Sequence, residues 1–480
     1  MRVETNHYES GVGEHDDTGL TCECGIFGLY LQEPSESATS LAALALFLQK
    51  NRGIETTGIS YYDLEDQELR RVISEGLVDP VKAMTNIAIS HGRYATFGND
   101  VAVESVAQPY ITEGMSFVHN GQITNTRQLL DKYGKELEGP TDSITAANII
   151  ASQKSSYDSV GELLQNVLPE LEGAYSLLVA TNNELYGARD PHGFRPLNLF
   201  RDRNNWAFAS ESFVATKMPG YFFDRPVEPG EVVQVSERGL KSYQIAELGK
   251  RAACGMEFAY FGMPASYFEG QELKDVRYRI GRELALRDQQ EGFDFSKIDV
   301  VFGVPLSGLP YADGYSEVSN IRQTDGIQLT DSERTFIQPI PGTRAPKVRQ
   351  KHTPYESVVK GKNILVTDDS LVRGNTMLEM VDMLKRAGAK EIHLRFGFPP
   401  IVNPCFYGID IPDSEQLIAR TLAGDPSGLE TAIARYLNVN SAKFIIEDSF
   451  KEVVGQETCM ACVDGDYPTP VPVSLDNLIN

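Results

Sequence analysis

The chain has 480 residues, enough for two or three domains that each bury a core of their own. Acidic residues number 67 against 44 basic, a formal net charge of −23 that argues against nucleic acid as a main partner, since phosphate backbones need a basic surface. No apolar run approaches the roughly 18 residues that span a bilayer, so no membrane partner is expected.

The first 23 residues, MRVETNHYESGVGEHDDTGLTCE, are polar and acidic. They lack the basic start and apolar middle of a secretory signal, and the expected location is the cytoplasm. In that reducing compartment the six cysteines point away from disulfides and toward metal or catalytic roles.

An abrupt switch follows, from the polar leader to the strand-like run Cys24-Gly-Ile-Phe-Gly-Leu-Tyr-Leu. A cysteine at a strand edge is by itself an ordinary small apolar residue. The segment resembles the CGIFG start of class II (N-terminal nucleophile) glutamine amidotransferases. That resemblance implies a propeptide, Met1 to Glu23, whose removal makes Cys24 residue one and its nucleophile. A freed α-amine titrates near neutrality and can serve as the thiol's general base. Cys22, on the other side of the cut, is expected to be incidental. Ser40 to Lys50 reads as an apolar helix ending at Asn51-Arg52-Gly53. The family's QHRGQESAGI appears here as QKNRGIETTGI; Arg52, Gly53, Glu55 and Gly58 are kept, whereas the histidine and second glutamine are not.

Ile87 to Thr96 alternates like a strand and ends in a polar cluster, ISHGRYAT, similar to the family's GHVRYAT. Taken alone, Arg93 is a surface ion-pair partner. The resemblance makes it the guanidinium that clamps the α-carboxylate of glutamine, with Thr96 beside it. Phe117-Val-His119-Asn120-Gly121 carries the family's HNG, otherwise only a turn signal. By that likeness the Asn120 side chain and the Gly121 N–H form an oxyanion hole. Asp142, in PTDS, corresponds to the carboxylate that takes glutamine's α-amine, although the family continues with TE. Gly173 to Ser176, Ala188 to Pro196 and Ala209 to Ser212 match non-catalytic parts of the same domain, and EPGE at Glu228 to Glu231 resembles its closing turn. Strand-and-turn composition fits a layered antiparallel αββα domain.

The second half begins at Cys254-Gly-Met-Glu257-Phe-Ala-Tyr260-Phe261. The family's CxxEYxYFARPDS ends here as FGMPAS, without its arginine and aspartate. Val300 to Ser307 is a buried strand entering a Ser-Gly turn, with Leu306 where the family's GVPDSG has aspartate; Ser307 remains a candidate for Mg2+ or pyrophosphate. Arg334 to Pro339 matches RTFIQP. Arg344, Lys347, Arg349 and Lys351, followed by His352, form a basic loop in an acidic protein. Such a loop is usually a solvated face, but it resembles the mobile loop that closes over pyrophosphate.

Asn363 to Thr376, NILVTDDSLVRGNT, is a buried strand, two carboxylates and a polar turn; Met377, Met380, Val381 and Leu384 then recur at helical spacing up to Gly388. This is neither a Walker A loop nor GxGxxG. Strand, loop and helix N-terminus can hold a phosphate, and paired carboxylates suit ribose hydroxyls or a hydrated Mg2+. From these residues alone an ordinary acidic turn is an equal reading. VTDDSLVRGNT, however, resembles the phosphoribosyl-pyrophosphate (PRPP) signature of type I phosphoribosyltransferases, particularly the amidophosphoribosyltransferase family. The resemblance implies that Asp368, Asp369, Ser370, Arg373, Gly374, Asn375, Thr376 and Lys351 bind PRPP, with Ser307, Asp368 and Asp369 near Mg2+.

Cys254, Cys405, Cys459 and Cys462 combine one CxxC with two distant partners. Spacing alone leaves zinc, an iron–sulfur cluster and no metal open. The contexts PPIVNPCFYGID and CMACVDGDYPT resemble the family's iron–sulfur subgroup, which implies a [4Fe–4S] cluster of structural role. The expected organisation is propeptide 1–23, an N-terminal nucleophile glutaminase domain of four αββα layers at 24–252, and a type I phosphoribosyltransferase domain with a mainly parallel sheet at 253–480. The implied reaction converts PRPP, glutamine and water to 5-phosphoribosylamine, glutamate and pyrophosphate, in a homo-oligomer (dimer or tetramer), with a dry path for ammonia between the two sites. A relative with another acceptor, and a non-catalytic PRPP-binding regulator, are the alternatives.

Overall fold

A computed structural model describes residues 24–93, 103–245, 249–329, 352–409, 411 and 414–472. Thirteen strands build the first half: β1 (Gly25–Ser35), β2 (Thr56–Asp63), β3 (Glu68–Glu75), β4 (Thr85–Arg93), β5 (Tyr110–Thr112), β6 (Met115–Ile123), β7 (Gly173–Ala180), β8 (Glu184–Arg189), β9 (Asn198–Asp202), β10 (Asn205–Ala209), β11 (Phe222–Pro226), β12 (Glu231–Ser236) and β13 (Gly239–Gln244). They form two antiparallel sheets, ordered β11-β9-β10-β1-β4-β2-β3 and β13-β12-β8-β7-β6-β5.

Alternation along each strand explains the layering. In β4, Ile87 and Ile89 join Ile26, Val118, Leu178 and Val233 between the sheets, while Ala88 faces outward beside Ala42 and Ala45 of the helix Ala38–Leu48. Ile87 and Ile89 are fully buried, and each contributes about 1.5–3 kcal/mol relative to exposure. The outer face of the second sheet is covered by Thr126–Tyr133, Asp142–Ser152 and Val160–Val167, whose Leu129, Ile149, Ile150 and Leu164 pack on Phe117, Leu177 and Val179. The result is four layers, αββα.

Two sequence readings shift here. The first helix starts at Ala38, two residues early, and a 3-10 turn over Lys50–Arg52 follows it. EPGE is not a closing turn, because β12 and β13 come after it and complete the second sheet's edge. The Glu231 carboxylate accepts the Glu228 N–H at 2.8 Å and two bonds from Arg225 at 2.7 Å, which shape the entry to that last hairpin.

From residue 253 the pattern changes. Short strands β14 (Ala253–Cys254), β15 (Tyr267–Phe268) and β16 (Gln271–Glu272) precede β17 (Val300–Gly303). Next come β18 (Ile327–Leu329), β19 (His352–Pro354), β20 (Asn363–Asp368), β21 (Glu391–Phe396), β22 (Ser441–Phe444) and β23 (Thr458–Cys459). Strands β17-β20-β21-β22 form a parallel sheet, and β14 pairs in parallel with β23. Both faces of the parallel sheet are covered, so its strands read as continuous apolar runs. Val301 and Leu365 face the helices Leu273–Gln290 and Leu309–Ser319; Val300, Ile364 and Val366 face Asn375–Arg386. Among the described residues no helix is long and apolar enough to cross a membrane.

Candidate active sites

Cys24 stands immediately before β1, whose Gly25 and Ile26 register with Gly92 and His91 of β4. Arg93 ends β4 in this neighbourhood, and its Nη1 donates to the Val106 carbonyl at 3.1 Å. Burial pushes the Cys24 thiol up to about 11; Arg93 and Arg52 pull it down and Asp142 pushes it further up. Cys24, Arg93, Arg52 and Asp142 therefore share one electrostatic pocket. Asp142 opens its helix under the Thr141 cap, is buried, and accepts the Ile123 N–H at 2.8 Å. Burial raises its carboxyl, against the pull of His119 and the Ile123 amide. Thr96 lies outside the described residues.

Asn120 and Gly121 lie in β6 opposite Ser176 and Tyr175. The Asn120 side chain is buried, and among the described residues its Nδ2 has no hydrogen-bond partner. A buried N–H donor without an acceptor costs about 1–3 kcal/mol, so one held in place is suited to a charge that appears during reaction. Gly121 takes φ +141°, and a Cβ there would lie 2.0 Å from the Ala174 carbonyl oxygen. Only glycine fits this position.

Below these groups lies a feature with no local sequence signal. Buried Arg52 donates Nε to Glu211 at 2.7 Å and both Nη atoms to Glu257 at 3.2 and 2.8 Å. Asn51, next to it, donates Nδ2 to Glu211 at 3.1 Å and to the Phe261 carbonyl at 3.2 Å. Glu257 and Phe261 bound a single π-helical turn, a distortion frequent at functional sites. Met263, where the family has arginine, sits against the core of the first sheet, and its N–H joins the Glu211 carboxylate.

That turn leads into a cavity of about 440 Å³ at the C-terminal ends of β17 and β20. Ligands of open parallel sheets bind at this end. Asn51, Tyr260, Ser307, Asp368, Asp369 and Thr376 are among its lining residues, together with Ser370 and Gly374. Ser370 Oγ donates to Asp369 at 2.6 Å, Ser307 Oγ to Asp368 at 3.5 Å, and the Asp369 N–H to Asp368 at 2.9 Å. Burial raises the Asp369 carboxyl, opposed by hydrogen bonds from Ser307 and Ser370 and by Arg277. Gly374, at φ +83°, precedes the helix Asn375–Arg386, whose N-terminus receives no side-chain cap. Its first N–H groups can therefore meet an anion. Leu306 stands 69% exposed at the cavity.

Not every predicted residue converges. Arg373 turns its Nε to Gln416 at 3.2 Å, and Asn375 is exposed outside the lining set. Lys351, the RTFIQP segment and the basic loop up to Lys351 lie outside the described residues. Arg277, unremarked in the sequence, lines the cavity while its guanidinium holds the Phe258, Tyr260 and Gly262 carbonyls at 2.6–2.9 Å.

Cys254, Cys405, Cys459 and Cys462 line one small apolar cavity with Phe194, Met256, Tyr407 and Tyr467, and all four are free thiols. Cys254 and Cys459 are register partners across β14 and β23. Burial raises both Cys459 and Cys462, helped by Cys254 and Cys405 at Cys459 and by Cys405, Cys459 and Cys254 at Cys462. Among the described residues no three His, Cys, Asp or Glu side chains are grouped closely enough to hold a single metal ion.

Residues 91–215 match the glutamine amidotransferase domain family, and residues 271–395 the phosphoribosyl transferase domain family. Amidophosphoribosyltransferase of Synechocystis sp. is 34% identical over 98% of this chain and 95% of its own length. That of Methanothermobacter thermautotrophicus is 35% identical over 94% and 96%. Among solved structures, the allosteric regulatory enzyme of purine biosynthesis superposes with TM-score 0.82 and 30% identity over 95% of this chain and 98% of that one. Glutamine PRPP amidotransferase from B. subtilis, complexed with ADP and GMP, gives TM-score 0.81 and 31% identity over 94% and 98%. With both domain types in one chain and relatives matched along nearly its whole length, this protein belongs to the amidophosphoribosyltransferase family of enzymes.

Proposed function

We propose that the chain converts PRPP and glutamine to 5-phosphoribosylamine, glutamate and pyrophosphate, the first step of purine synthesis, with the division into propeptide 1–23, glutaminase 24–252 and phosphoribosyltransferase 253–480. The observation that carries this reading is the turn between the two sites: Arg52 packs beside Gly25, next to Cys24, where a Cβ on Gly25 would lie 3.4 Å from the Arg52 Cβ, while its neighbour Asn51 lines the cavity of Asp368 and Asp369.

In the first site, removal of residues 1–23 frees the Cys24 α-amine, which takes the thiol proton. The thiolate sulfur attacks the carboxamide carbon of glutamine. Arg93 and Thr96 hold the substrate's α-carboxylate and Asp142 its α-amine. The tetrahedral oxyanion is received by Asn120 Nδ2 and the Gly121 N–H. Ammonia leaves with the transferred proton, and water then cleaves the thioester to glutamate.

In the second site, Asp368 and Asp369 bind the ribose hydroxyls, and Ser370, Gly374 and Thr376 with the helix N-terminus take the 5-phosphate. By family likeness Arg373, Asn375 and Lys351 also belong to the PRPP-binding set. Ammonia attacks the anomeric carbon as pyrophosphate departs. Ser307, Asp368 and Asp369 are the residues that would hold Mg2+ there, and the ion would supply charge neutralisation for that departure.

The four cysteines fit a [4Fe–4S] cluster better than zinc. Zinc needs thiols about 3.8 Å apart, from a Zn–S bond near 2.3 Å, whereas a four-iron cube spreads its ligands over separate corners. An all-thiol set in one apolar pocket suits the cube, and its position between β14, β23 and the Cys405 loop suits a structural role. Exposed Phe222 and Phe223 on the edge strand β11 support self-association as a dimer or tetramer.

The test is Cys24→Ala. Glutamine-dependent synthesis should vanish while synthesis from PRPP and ammonium salts persists; loss of both, with folding intact, would contradict the division of labour.

A further inference from the structure

The loop that carries Cys405 reaches back to the first site. A Cβ on Gly408 would lie 2.8 Å from both the carbonyl carbon and oxygen of Gly121 and 3.2 Å from its Cα, so the two glycine backbones are in direct contact. On its other flank Gly121 meets Ala174, whose carbonyl oxygen would lie 2.0 Å from a Gly121 Cβ. Residue 121 is thus clamped between β7 and a loop 287 positions downstream (408 minus 121).

The loop itself is anchored just before Gly408. Arg195 Nη2 donates to the Tyr407 carbonyl at 2.5 Å, and Phe194 stacks on the Tyr407 ring at 4.2 Å. The Tyr407 hydroxyl and Thr469 Oγ1 are 3.0 Å apart, and the Tyr407 N–H donates to Cys405 Sγ at 3.3 Å. A positive φ of +89° accounts for glycine at 408, but not for its contact with another domain's strand. We propose that Gly408 is a positioning residue for the glutaminase reaction: by bearing on Gly121 it fixes the amide that receives the oxyanion.

This inference rests on the oxyanion role assigned above to Gly121. Removing one oxyanion donor costs roughly 100- to 1,000-fold in kcat, and displacing it by a fraction of an ångström forfeits part of that. The experiment compares Gly408→Ala with wild type in four measurements: ammonia-dependent synthesis, glutamine-dependent synthesis, inhibition by L-glutamate, and inhibition by L-glutamate γ-semialdehyde. The aldehyde carbon of that inhibitor accepts the Cys24 sulfur, and the resulting tetrahedral oxygen needs the hole. We expect the ammonia reaction, the KM for glutamine and the glutamate inhibition to stay near wild type. The glutamine-dependent kcat and the semialdehyde affinity should fall together, by roughly 100-fold. A generally loosened fold would move all four.

An intact ammonia reaction with unchanged kcat and semialdehyde affinity would overturn the proposal. If Gly408→Ala loses the ammonia reaction through misfolding, Tyr407→Leu, which removes the ring and hydroxyl anchors but adds no Cβ clash, should show the same split at smaller size. Its absence there would also overturn it. Failure of the wild type in both reactions would instead refute the proposed function.

Discussion

Arg52→Met is the perturbation whose size follows most directly from the structure. The side chains of Arg52, Glu211 and Glu257 are each about 1% exposed, and three charge-assisted bonds of 2.7–3.2 Å join them. The two carboxylates raise the Arg52 pKa against a burial penalty that would lower it, so the guanidinium stays charged. Methionine fills most of the volume but leaves the buried Glu211 carboxylate without its cation and Glu257 with only Arg195, whose Nη1 stands 4.0 Å away. Breaking a buried pair from one side costs about 3–5 kcal/mol. At about 2–4 °C per kcal/mol for domains of this size, the thermal midpoint should fall on the order of 10 °C. Calorimetry on the variant measures this directly. The control is Arg52→Met with Glu211→Gln and Glu257→Gln together, which removes the stranded charges and should regain most of the loss. A single variant as stable as wild type, or a triple as unstable as the single, would refute the reasoning.

Asn120→Ala deletes a donor that has no partner in the resting site, so stability should change little while glutamine-dependent kcat falls about 100- to 1,000-fold; thermal melts and paired glutamine and ammonia assays check this. His91 is buried between the sheets, and burial with Arg93 nearby lowers its pKa to about 3, below the ordinary 6.5. The unfolded chain then binds a proton that the folded one refuses, so this contribution is complete above pH 6.5 and drains as pH falls toward 3. Between pH 7 and pH 5 it amounts to about 2 kcal/mol, read as the change in the stability gap between wild type and His91→Leu over that interval; an unchanged gap counts against it. Asp369→Asn should abolish PRPP-dependent turnover and leave glutamine hydrolysis measurable; unaltered synthesis would remove Asp369 from the site. Iron and acid-labile sulfide should each approach four per chain and drop sharply in Cys459→Ser, whereas one zinc per chain would contradict the cluster.

What the sequence disclosed was local. The apolar run after Cys24 and the strand-acid-turn-helix of residues 363–388 appear where periodicity and turn chemistry place them, because each is complete within a short window. The helices over residues 126–167 were harder to foresee: each is 8 to 11 residues long, and burial against β6 and β7 stabilises them more than their own propensity. Arg52, Glu211 and Glu257 could not be grouped in advance, since 159 and 205 positions separate the partners. The same holds for Gly408 against Gly121, and for Arg277, whose helical neighbours carry no motif. Two departures from the family pattern acquire physical content only in three dimensions. Asn51, in place of histidine, bridges Glu211 and the Phe261 carbonyl, and Met263, in place of arginine, packs on the first sheet.

The central claim is that one chain makes ammonia at Cys24 and consumes it at Asp368 and Asp369. Purified protein supplied with PRPP, Mg2+ and glutamine, with glutamate and pyrophosphate followed together, tests it most directly. The account predicts equal yields of the two products, each dependent on the other substrate for its full rate; glutamate accumulating without pyrophosphate would contradict it.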